Sequence, residues 1–96
     1  MQTEVPSELK ALSQFHGHLG PYVVIGYRMG LLAKAELHGR LSAKVLSGQR
    51  PPLSCLADGV QFSSGCTLGK GNIVVEDQGL ARAEFSCADR RLIVTL

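Results

Sequence analysis

The sequence predicts an α+β domain in which helices pack on one face of a small antiparallel sheet. Three observations carry that expectation. Residues 21 to 38 hold apolar side chains at helical spacing, with Val24, Tyr27, Leu31 and Ala35 on one stripe and Ile25, Met29 and Leu32 on another. The last quarter of the chain alternates in three runs, Ile73 to Glu76, Leu80 to Cys87 and Arg91 to Leu96, separated by Asp77-Gln78-Gly79 and Ala88-Asp89-Arg90, which reads as an antiparallel meander. Finally, 96 residues, 45% of them hydrophobic but only 5% aromatic, make one domain spanning 1–96 whose aliphatic core is small for so apolar a helix.

Taken in order, Ser7 is placed as an N-cap, and Glu8 to Phe15 follow as a short helix with Leu9 and Leu12 on one face and Phe15 as a candidate third member of it. Phe15-His16-Gly17-His18-Leu19-Gly20 comes next and reads as a glycine-rich turn. In a helix the side chains of His16 and His18 would diverge by about 200°, whereas in an extended turn i and i+2 share a face. Pro21 suits a first helical position, so the positive end of the following helix points back at the histidines. Along that helix Gly26, Gly30, Ala33 and Leu37 form a seam that lets another helix approach closely, either within the monomer or from a second copy of the chain. Gly39 marks its stop, with His38 as a helix-end residue.

Leu41 to Ser47 alternates weakly as a strand, and Gly48 to Pro52 is a loop by composition. Leu53 to Ser64 reads as a second long helix, closed by Gly65, with Cys55, Asp58 and Phe62 on one side. Asp58 is either an exposed carboxylate or a buried one that needs a partner. The loop Ser64 to Asn72 is not a Walker A, because only three residues separate Gly65 from Gly69 and Gly71 stands at the Ser/Thr position. What it offers is exposed backbone N–H groups, Lys70 and a cysteine at a helix end. Cys87 alternates onto the face of Phe85 and reads as a small buried hydrophobe packed with it.

Ten basic against eight acidic residues give +2, with no basic run interleaved with aromatics, so nucleic acid is a poor fit. Neither the start of the sequence nor the charge-broken stretch 22 to 37 reads as a signal peptide or a membrane span, and a soluble cytoplasmic protein is expected. Three cysteines argue against a disulfide framework. The residues themselves leave three chemistries open. His16, His18, Cys55 and Cys66 have the donor types of a zinc or other late transition-metal site, though their spacing matches no finger or ribbon. Cys66 or Cys55 with a histidine as base would make a thiol enzyme. The third is packing alone.

Four blocks then resemble the E-subunit family of formylmethanofuran dehydrogenase, in that family's order. They are Phe15-His16-Gly17-His18-Leu19-Gly20-Pro21, Gly26-Tyr27-Arg28-Met29-Gly30, Cys55-Leu56-Ala57-Asp58-Gly59-Val60-Gln61 and Ser64-Gly65-Cys66-Thr67-Leu68-Gly69-Lys70-Gly71-Asn72. The resemblance implies an α+β domain that pairs as a homodimer, with the polar positions of a cleft at His16, His18, Cys55, Asp58, Cys66, Thr67 and Lys70. On that basis His16, His18, Cys55 and Cys66 are expected to bind a transition metal such as zinc. Cys66, His18 and Asp58 would be catalytic, and Thr67 and Lys70 cofactor-binding. The function implied is a metal-binding accessory or redox-related domain, with the other chains of a molybdenum or tungsten enzyme as partners; a stand-alone thiol enzyme and a metal-handling module are the alternatives. Two departures stand out. Gly20 replaces the family's usual cysteine, and the cysteine-rich tail of many members does not follow Leu96, so a core domain with an altered site is expected.

Overall fold

Pro21 opens the longest helix, as its missing N–H and fixed φ favour. The structure is a computed structural model that describes residues 7–96. Its elements are α1 (Ser7–His16), α2 (Pro21–Glu36), β1 (Ser42–Val45), α3 (Cys55–Ser64), β2 (Ile73–Val75), β3 (Arg82–Cys87) and β4 (Arg90–Thr95). α2 ends where the Leu37 N–H bonds back to the Ala33 carbonyl, two residues before the glycine that the sequence marks as its stop. α3 begins at Cys55 rather than Leu53, and closes on Gly65 at φ +79°, whose N–H bonds to Gln61 O. That left-handed cap is where glycine is favoured over any residue with a Cβ.

The seam of small residues on α2 is used inside the monomer. A Cβ on Gly26 would run into the Leu56 carbonyl, one on Gly30 into the Ser63 hydroxyl, and one on Gly59 of α3 into the Val23 carbonyl. The contacts pair the early part of α2 with the early part of α3 and the later part with the later part, so the two helices run in the same direction. Ser63 and Ser64, buried at this interface, satisfy their hydroxyls by donating to the Gly59 and Val60 carbonyls.

The sheet order is β2-β1-β3-β4. β3 and β4 form the expected hairpin, and β1 pairs antiparallel with β3. β2, however, pairs parallel to β1, with Ala43, Lys44 and Val45 opposite Ile73, Val74 and Val75. The sheet is therefore mixed, and the expected meander of three consecutive strands is corrected to a β1-α3-β2 crossover plus a hairpin. The physical reason is that β1 takes the centre of the sheet, with Ala43 and Val45 buried, and a strand that leaves through a helix returns parallel. Phe85, Val45 and Ala83 from the sheet meet Leu56 and Val60 of α3 and Met29 and Ala33 of α2 in one core. Leu12 anchors α1. Among the described residues no helix is long and apolar enough to cross a membrane.

Candidate functional site

Because α2 and α3 are parallel, their N-termini lie at one end of the molecule and their C-termini at the other. α1 delivers His16 to the N-terminal end. The helix continues through His16, one residue further than the sequence suggests, and the turn begins at Gly17, which adopts φ +113° and donates its N–H to Ser13 O. This positive φ swings His18 back, so that the two imidazoles lie with centroids 4.8 Å apart and planes tilted by 45°. The expected shared face thus forms by a helix end and a bend rather than by an extended segment.

His16 Nδ1 is 2.6 Å from Asp58 Oδ2. An ionised carboxylate can only accept, so Nδ1 carries the proton and donates it. The bond fixes the ring, and in the neutral imidazole it leaves the lone pair on Nε2. The His16 side chain is 9% exposed, and Nε2 is buried with no partner among the described residues, a costly arrangement unless something else occupies that lone pair. Asp58 is half-buried, with its other oxygen 3.5 Å from Gln61 Nε2; Gln61 Oε1 in turn accepts the Leu68 N–H at 2.9 Å. Gln61 is the residue that sequence reasoning missed as a functional position. Its i+3 spacing from Asp58 on one helix face was the available signal.

Cys55 is the first residue of α3, one turn before Asp58, and is half-buried. Cys66 lies past the other end of that helix, about 12 Å along the axis from Asp58 at 1.5 Å per residue. It is 1% exposed and packed in the core with Met29, Ala33 and Leu37. Among the described residues no three His, Cys, Asp or Glu are gathered so as to hold a metal ion. The expected four-ligand set is therefore divided: His16, His18 and Cys55 belong to one end of α3, beside Asp58, and Cys66 to the other. Cys66 is separated by the length of α3 from His16 and His18, so the expected pairing with either of them is not made among the described residues. Thr67 is turned into its own loop, its N–H bonded to Asn72 Oδ1 and its hydroxyl accepting the Lys70 N–H, while Lys70 reaches a separate cleft beside Cys66.

A family profile described as "FmdE, Molybdenum formylmethanofuran dehydrogenase operon" matches residues 15–95. The chain belongs to the FmdE family. A solved structure from Syntrophus aciditrophicus, an FmdE-like protein of the tungsten formylmethanofuran dehydrogenase type, is similar with a TM-score of 0.63 and 30% identity, covering 80% of this chain and 40% of that one. A probable S-adenosyl-L-methionine-binding protein from Archaeoglobus fulgidus is 34% identical over 83 residues, 81% of this chain and 23% of that protein. The chain thus spans about a quarter of the length of this curated relative. At Gly20, where the FmdE pattern usually has cysteine, a Cβ would sit 3.2 Å from His18 Nε2. The position that departs from the family is therefore in contact with the histidine pair.

Proposed function

We propose that this FmdE domain binds a transition metal, zinc by its donor chemistry, at the His16–His18 turn, and acts as an accessory or redox-related domain to a formylmethanofuran-dehydrogenase-type molybdenum or tungsten enzyme. The observation that carries this reading is the Nε2 of His16, buried and without a partner among the described residues, set behind an Nδ1–H held by Asp58. A carboxylate on the far nitrogen is the usual support of a metal-ligating histidine, since it fixes the tautomer and raises the basicity of the free nitrogen. His18 is the second imidazole. Cys55 is the thiol at the same end. With fewer than three ligands gathered, the remaining positions fall to water, to substrate or to groups outside the chain. When bound, such an ion supplies Lewis acidity. The N-termini of α2 and α3 at this end favour a negative ligand beside it.

Zinc titration of metal-free protein by calorimetry tests the reading. His16→Ala and His18→Ala are expected to lose most of the affinity while staying folded, and Gly20→Cys to bind equally or more tightly. Cys66→Ser should keep the metal, since its side chain lies at the other end of α3. Failure of the wild-type chain to take up zinc would end the proposal.

The same reading includes a cytoplasmic homodimer. What supports the pairing is an apolar patch beside the histidine turn, in which exposed Phe15 and half-buried Tyr27 both lie against exposed Phe62, with ring centroids 5.9 and 6.2 Å apart.

A further inference from the structure

At the opposite end of the helices, the chain after α2 and the loop after α3 wall an open cleft of about 420 Å³. Its charged lining is of one sign: Lys34, Arg40 and Lys70, with His38 beside them and, among the described residues, no aspartate or glutamate. Three of the chain's ten basic residues gather here and, among the described residues, no acidic one, although the net charge is only +2. Elsewhere Lys44 is paired with Glu76 and Arg91 with Glu84, but among the described residues none of these three cations has a carboxylate within ion-pair distance.

The bland account is that basic side chains complement helix C-termini. Its magnitude is too small. Each helix end carries roughly half a negative charge, so two ends offset about one of the three cations and leave about two positive charges over. Both ends are also already capped, by the Leu37 and Gly65 N–H groups. The walls are fixed independently of any ligand. The Asn72 amide accepts from the Thr67 N–H at 2.8 Å and donates to the Leu41 carbonyl at 3.2 Å, tying the glycine loop to the segment after α2. The floor is apolar, formed by Leu37, Leu41 and the buried Cys66.

We propose that this cleft is a binding site for a small phosphorylated molecule, with Lys34, Arg40 and Lys70 on its phosphate. A surplus of about two positive charges matches a dianion better than a carboxylate, and a guanidinium can meet a phosphate through two N–H groups. The volume, within the roughly 300–1,000 Å³ of small-molecule sites, leaves room for an organic portion over the apolar floor.

The test uses metal-free, isotope-labelled protein titrated with inorganic pyrophosphate and, separately, acetate, following backbone amides by NMR. Pyrophosphate should saturate, with shifts concentrated at residues 38–41 and 65–72. Lys70→Gln and Arg40→Gln, both on exposed side chains, should each weaken it roughly tenfold or more, as loss of one charge-assisted hydrogen bond implies. Lys10→Gln on α1 should not weaken it. Binding should persist in His16→Ala, which separates this site from the histidine turn. No saturation, shifts spread evenly over the surface, equal affinity for acetate, or unchanged affinity in both cleft variants would each overturn the proposal.

Discussion

At the scale of single residues, the hydrogen bond from His16 to Asp58 explains why two polar groups can lie together at a partly buried helix end. Replacing the acceptor with a weaker one should loosen the ring without emptying the space. Asp58→Asn is therefore expected to lower zinc affinity by about 10- to 100-fold, the usual consequence of losing a supporting carboxylate, and calorimetry reads it. The candidate residues of this pair were legible in the sequence, because histidines one apart on a glycine turn and an Asp at helical spacing from a Cys are local patterns. Their partnership was not, since His16 and Asp58 are 42 positions apart and no periodicity encodes which helix face meets which turn. A second residue-scale effect lies in the sheet. Arg91 donates to Glu84 at 2.6 Å and holds its carboxyl below the ordinary value of 4.5, with Lys44 and Arg82 adding to the effect. A depressed folded-state pKa contributes stability that is fully present above 4.5 and is lost as pH falls through the lowered value. Glu84→Gln should accordingly flatten the acid limb of a stability–pH profile, by lowering stability at neutral pH and leaving it unchanged below the lowered value.

At the scale of elements, the α2–α3 contact is made by backbone against backbone, which is why glycines stand where a helix would otherwise favour alanine. Gly59→Ala should cost roughly 1–3 kcal/mol from overpacking, read as a drop in Tm, and Gly30→Leu more, because its Cβ meets the Ser63 hydroxyl and the Ser64 backbone. The seam itself was visible in the sequence. Whether it served one chain or two was not, because spacing alone does not say that the small residues of α3, Gly59 and Ser63, face this seam within the same chain. The β3–β4 turn carries the opposite case: Ala88 sits at φ +53°. Left-handed backbone costs an L-residue roughly 1–2 kcal/mol, and glycine gives back about 0.5–1 in lost entropy, so Ala88→Gly should raise stability by about 0.5–1 kcal/mol in denaturant unfolding. Strand existence was readable from alternation, but strand partners were not. The turn Ala88-Asp89 fixes one hairpin locally, whereas β2 is brought to β1 by a helix whose packing is decided in the core.

At the scale of the molecule, parallel α2 and α3 give the domain two chemically different ends, histidines at one and cations at the other, with the core between them. The association of copies takes its argument from the same arrangement. With Gly26 and Gly30 occupied by α3, the small-residue seam is no longer available to a second copy, and the apolar surface left over is elsewhere: Phe15 is 57% exposed, Leu31 45% and Phe62 37%. Phe62 contacts both Phe15 and Tyr27, and Leu31 follows Tyr27 by one turn, so these side chains make a contiguous patch rather than scattered exceptions. A two-fold dimer through this patch would bring the two histidine turns toward each other and put groups of the second copy near the open ligand positions. Sedimentation velocity at micromolar concentrations should show a dimer, and Phe62→Ser should raise its dissociation constant roughly tenfold or more, as expected for a central aromatic. Gly59→Ala should lower Tm without selectively loosening the dimer. A wild-type chain that sediments as a monomer throughout that range would remove the dimer, while leaving zinc binding at His16 to be judged by its own titration.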